Sequence, residues 1–78
     1  MAKINLEKII SIISSTIEEN QSKISIKSKS SDFFKWDSLN QLNIMIKVEK
    51  ILKRKIPTNK ISELNTVKKI FNYVNNIK

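Results

Sequence analysis

The amino-acid sequence predicts an all-α fold, a small four-helix bundle with three main helices, one short one and a long loop between the first and second. Three observations predict it. Apolar residues recur at the roughly 3.6-residue helical period in three separate segments. The chain holds no glycine and a single proline, so it lacks the usual residues of tight hairpins and left-handed caps. Its 78 residues make one small domain, 1–78, with one modest core. A hydrophobic fraction of 40% and a charged fraction of 28% are those of a soluble globular chain.

The first helix is expected over residues 4–19, with Asn5 as its N-cap. Leu6, Ile9, Ile10, Ile13 and Ile17 form its apolar stripe and Ile12 widens it. A signal peptide is the competing reading. Glu7 and Lys8 interrupt the apolar run and no small-residue cleavage site follows, so a core helix is preferred. No segment approaches the roughly 20 apolar residues of a membrane span. Residues 20–36 lack helical periodicity and are rich in Ser and Lys. Ile24 and Ile26 alternate with polar neighbours, as in a short extended contact with the core or a short strand. Long loops inside small domains are often functional. This one ends in Phe33, Phe34 and Trp36, three of the chain's five aromatics, expected to close the core beneath it, with lining the mouth of a cavity beside Ser38 as the alternative role.

The second helix is expected over residues 38–53. Asp37 caps its first turn, and its inward stripe is read as Leu39, Leu42, Met45, Ile46, Val48, Ile51 and Leu52. Asn40, Gln41, Asn43, Lys47, Glu49, Lys50 and Lys53 are read as outward. Pro57 prevents continuation. Thr58 caps a short turn through Ser62, with Ile61 and Leu64 pointing inward. Asn65 or Thr66 caps the last helix, whose stripe is Val67, Ile70, Phe71, Val74 and Ile77, with Lys68 and Lys69 outward.

The chemistry is bounded from several sides. The absence of cysteine and histidine removes disulfides, thiolate catalysis and the commonest general base and metal ligand. No paired-carboxylate site, metal cluster or glycine-rich phosphate loop is present, so a stand-alone enzyme is not expected. The net charge of +8 admits nucleic acid, anionic membrane or an acidic protein as partner. The basic residues are scattered, and Arg54 is the one arginine available for bidentate base reading. A solvated lysine surface is therefore preferred to nucleic-acid binding, which stays the main alternative through Lys47, Lys50, Lys53, Arg54 and Lys55. Ser38, by contrast, falls at the first position of a helix, where free N–H groups and the helix dipole favour an anion. With no base to activate it, it suits a phosphodiester attachment point better than a nucleophile.

Asp37-Ser38-Leu39 resembles the Asp-Ser-Leu motif of acyl carrier proteins and related phosphopantetheine-binding domains. Ile56-Pro57, and Thr66-Val67 with Ile70, Tyr73 and Val74, are similar to that family's downstream landmarks, in ungapped register from Ser38. The likeness covers roughly residues 33–75, and the first helix agrees in pattern only. The resemblance implies a cytoplasmic, monomeric, non-catalytic carrier. Ser38 would receive a 4'-phosphopantetheine arm from coenzyme A through a phosphopantetheinyl transferase, with Asp37 and Leu39 serving transferase and partner recognition. The arm's thiol would carry acyl or aminoacyl groups as thioesters between acyl-loading and acyl-accepting enzymes. Phe34, Leu42, Ile46, Ile56, Ile61 and Leu64 would line any shelter for an acyl chain.

One departure from the family is large. Its members are usually acidic on the second helix, whereas the docking face expected here is Asn40, Asn43, Lys47 and Lys50, with Glu49 the main remaining acid. Opposite charges steer encounter and like charges disfavour it. Dedicated partners of a specialised pathway, such as polysaccharide, lipid or secondary-metabolite synthesis, are therefore expected over a housekeeping fatty-acid synthase.

Overall fold

Three amphipathic stripes find one another across a common core. A computed structural model, which describes residues 4–76, gives four helices and no strand among those residues: α1 (Leu6–Ile17), α2 (Ser38–Leu52), α3 (Thr58–Ile61) and α4 (Val67–Asn76). The expected small all-α bundle is the observed one. Ile77, the last residue of the expected α4 stripe, lies outside the described residues.

α1 begins where Asn5 Oδ1 accepts from the Lys8 N–H at 2.8 Å, as expected of an N-cap. It buries Ile9, Ile12, Ile13 and Ile17, with Leu6 and Ile10 packed at the margin. It ends earlier than residue 19, because Glu18 turns into the left-handed region at φ 58°. α1 packs against α2 and α4, and α3 packs against α2. The shared core joins these isoleucines to Ile44, Met45, Val48, Val67, Ile70 and Val74. Thr66 caps α4, its Oγ1 accepting from the Lys69 N–H at 3.0 Å. Thr58 is the first residue of α3 rather than its cap; the preceding residue is Pro57, which makes no side-chain cap bond.

α2 departs from its expected register. Its buried residues are Gln41, Ile44, Met45 and Val48, whereas Leu39, Leu42, Ile46 and Ile51 are exposed. Apolar residues occur on nearly every side of this helix, so two stripes compete, and packing against α1 selects the one centred on Ile44 and Met45. Glu49 does not face outward as an independent acid. It is half-buried, and its Oε2 accepts from the Ile56 N–H at 2.6 Å, fastening the turn that follows the helix.

The long loop is pinned at its base. Ile24 is buried, and two short 3₁₀ turns, Gln21–Lys23 and Ser30–Asp32, break up the chain. An isolated antiparallel bridge pairs Lys29 with Thr66. There the Val67 N–H donates to Ser28 O at 3.0 Å and the Ser30 N–H to Asn65 O at 2.8 Å. The contact foreseen at Ile24 and Ile26 is thus made by Ile24, while the sheet-like pairing occurs a few residues later.

Candidate functional site

The seam between the loop and the start of α4 brings Ser30 and Asn65 to the beginning of α2. From there the chain turns through Phe33 and Trp36, whose rings stack with centroids 6.5 Å apart. Trp36 is buried at 3% exposure and Phe33 packs on the core, but Phe34 is 99% exposed. Phe34 therefore closes no core and borders neither groove described below: the turn closed by the Trp36 N–H on Phe33 O sets Phe33 and Trp36 inward and leaves Phe34 and Lys35 on its outer side. Lys35 Nζ meets Glu18 Oε1 at 2.9 Å and ties this turn to the end of α1. The hydrogen bond and charge of Lys35 hold the Glu18 carboxyl below its ordinary pKa, and those of Glu18 raise Lys35 above its own. Their mutual support therefore spans the range between the two ordinary values. It fades as pH falls through the depressed Glu18 pKa or rises through the elevated Lys35 pKa.

Asp37 is the N-cap of α2, its Oδ1 accepting from the Asn40 N–H at 2.9 Å. Ser38 follows as the first helical residue and is exposed. The first-turn N–H groups of Ser38 and Leu39 have no carbonyl four residues back within the helix, so this end favours a negative group.

Three residues on, Gln41 is buried at 8% exposure and its carboxamide makes three hydrogen bonds. Its Oε1 accepts from Trp36 Nε1 at 2.6 Å, and its Nε2 donates to Ile61 O at 2.6 Å and Leu64 O at 2.7 Å. The partners fix its orientation, because an indole N–H can only donate and a carbonyl can only accept. Gln41 was expected on the outer face. It lies inward because α3 ends at Ile61 in a carbonyl that its own helix cannot satisfy, and the Leu64 carbonyl follows in the irregular connection to α4.

A groove of about 360 Å³ opens beside Ser38, lined by Ser30, Trp36, Asp37, Gln41, Ile61, Ser62 and Asn65. Of the residues expected to line an acyl shelter, only Ile61 borders it. Ile56 and Leu64 are buried in the core, while Leu42 and Ile46 are 42% and 40% exposed. A larger groove of about 490 Å³ runs between α3 and α4, past Lys60, Leu64, Lys69 and Tyr73. It does not touch Ser38.

The outer face of α2 is more apolar than expected. Leu39, Leu42 and Ile46 are exposed along it, beside exposed Lys47 and Lys50. Asn40 and Asn43 are half-buried. Asn40 Nδ2 donates to Lys35 O at 2.7 Å, and its Oδ1 accepts from Asn43 Nδ2 at 3.3 Å, so the pair braces the preceding turn. Lys47 Nζ donates to Thr16 Oγ1 at 2.8 Å. The expected docking residues thus divide into two bracing asparagines and two surface lysines. Among the described residues, no helix is long and apolar enough to cross a membrane. Neither the models of known protein families nor the curated proteins give a match to this chain.

Proposed function

We propose that the chain is an acyl carrier protein whose Ser38 bears a 4'-phosphopantetheine arm. A phosphopantetheinyl transferase would attach it from coenzyme A. The Ser38 Oγ–phosphorus bond would form as the pyrophosphate bond of coenzyme A breaks, the hydroxyl proton passing to solvent or to the transferase and adenosine 3',5'-bisphosphate leaving. The arm supplies the thiol that this cysteine-free chain lacks, on which acyl or aminoacyl groups travel as thioesters. The reading places the protein in the cytoplasm, as a monomer serving acyl-loading and acyl-accepting enzymes of a specialised pathway.

The placement of Ser38 carries the proposal. It is exposed at the first position of α2, set there by the Asp37 cap, and opens onto a groove of its own. This chain's residues have definable parts in that reading. Asp37 orders the first turn, and the N–H groups of Ser38 and Leu39 favour the phosphate charge. The buried ring of Trp36 and the carboxamide of Gln41 hold the groove's inner wall. Leu39, Leu42 and Ile46 offer an apolar docking face edged by Lys47 and Lys50, complementary to partners whose own docking face is apolar with an acidic rim.

The test is an intact mass after incubation with coenzyme A and a broad-specificity transferase, beside Ser38→Ala. The expected result is a gain of one phosphopantetheine that the variant lacks. A serine that stays bare both in this reaction and in protein purified from its native cells overturns the reading.

A further inference from the structure

The interior beside Ser38 is closed by hydrogen bonds where an acyl chain would need to enter. A chain attached at Ser38 could reach the core most directly between α2 and α3, past Gln41. There the Gln41 carboxamide joins α2 to the Ile61 carbonyl at the end of α3, to the Leu64 carbonyl in the connection to α4 and to the Trp36 indole, at 2.6–2.7 Å throughout. An alkyl chain taking that path would strand an indole N–H and two carbonyls away from water, each a substantial penalty. Behind this closure, Ile44, Met45, Val48, Val67 and Ile70 are fully buried, and a close-packed core resists added volume.

The groove outside the closure is mixed in character. Ser30, Ser62 and Asn65 border it with polar side chains, together with Asp37 and Gln41, while Trp36 and Ile61 supply its apolar surface. Such a lining suits the amides and hydroxyl of a pantetheine arm better than a bare alkyl chain.

Resting on the carrier reading of Ser38, we infer that the groove holds the arm itself and that Gln41 bars cargo from the core, so that this carrier serves short or polar acyl groups, aminoacyl groups included, and does not shelter long aliphatic chains. Gln41 acts here as a positioning residue: it sets the inner limit of the site through its bonds to Trp36, Ile61 and Leu64. Cargo would remain beyond the groove, open to partner enzymes and to water. Protection of a long chain would have to come from a partner.

The experiment loads Ser38 with hydrolysis-stable alanyl-pantetheine and octanoyl-pantetheine analogues, with isotope-labelled protein followed by NMR. In both forms, shifts are expected to cluster at Ser30, Gln41, Ser62 and Asn65. The Trp36 indole N–H resonance should stay in place, with no octanoyl cross-peaks to Ile44 or Met45 and no rise in Tm over the unacylated holo form. Cross-peaks from the octanoyl chain to Ile44 or Met45, or a displaced Trp36 indole resonance with raised Tm, overturn the inference and leave the carrier reading intact. In Gln41→Ala, with the closure removed, octanoyl cross-peaks to the core are expected to appear. The wild-type spectra decide the matter if that variant does not fold. Failure of loading, with an equally bare serine in protein purified from its native cells, ends the carrier reading and this inference together.

Discussion

Gln41 carries more of the fold than any other polar side chain near the serine. Replacing it by alanine strands the Trp36 indole N–H and loosens the carbonyls of Ile61 and Leu64, a loss of about 2–3 kcal/mol. Urea unfolding followed by the fluorescence of Trp36, the sole tryptophan, would measure it; a change under about 0.5 kcal/mol would show that the three bonds are readily replaced by water. The sequence hides this role. A glutamine one turn into a helix, with a loop tryptophan five residues before it, reads as surface unless α3 is already known to end against it. Asp37 was legible because capping is local: a short acceptor just before an apolar-periodic run has one obvious use. Phe34 and Phe33 differ by one position and not at all in chemistry. Their division into solvent and core follows from the path of a turn that composition does not encode.

At the scale of elements, the missing glycines leave a trace. α1 and α2 both end on left-handed residues, Glu18 at φ 58° and Lys53 at φ 57°, where a side chain is unfavourable by about 1–2 kcal/mol. The Lys53 N–H still closes onto Glu49 O at 2.8 Å, so the helix ends properly in a strained conformation. Lys53→Gly should therefore raise stability by about 0.5–1 kcal/mol net of the extra freedom glycine has when unfolded, and Tm by several degrees. Unchanged or lowered melting would mean that the aliphatic stem of Lys53 contributes packing that outweighs the strain. The stripes of α1 and α4 were readable in advance because each has one apolar side. On α2, Leu39, Leu42, Ile44, Met45, Ile46, Val48, Ile51 and Leu52 crowd most of the circumference, so periodicity admits more than one solution, and the choice belongs to the neighbouring helices. The stripe left outside became the exposed face beside Ser38. The stripe that periodicity places inside thus coincides with the surface proposed above as the docking face.

For the molecule as a whole, charge and core pull in opposite directions. The chain carries 15 Lys and Arg against 7 Asp and Glu, and the close pairs Lys23–Glu19, Lys35–Glu18 and Lys60–Glu63 lie at the surface, with Glu19 alone half-buried, where such pairs contribute little. Net self-repulsion should dominate, so Tm is expected to rise as sodium chloride is added from low ionic strength to about 0.5 M, a range over which the Debye length falls several-fold. A flat or falling Tm would show that the local pairs outweigh the global charge. The groove beside Ser38 is also a property of the whole chain. Its walls come from Ser30, from Trp36 and the start of α2, and from Ile61, Ser62 and Asn65, and two of them are joined where the Ser30 N–H donates to Asn65 O. Such contacts between distant parts of the sequence are the slow ones to form, because the intervening chain must first be brought round. During synthesis Ser38 leaves the ribosome well before Ile61, Ser62 and Asn65, so the groove is finished only after α3 and the connection to α4 have emerged. An enzyme that reads the framed serine must wait for those residues to emerge, and a chain truncated before Ile61 would present the same Asp-Ser-Leu without the wall that Ile61, Ser62 and Asn65 supply.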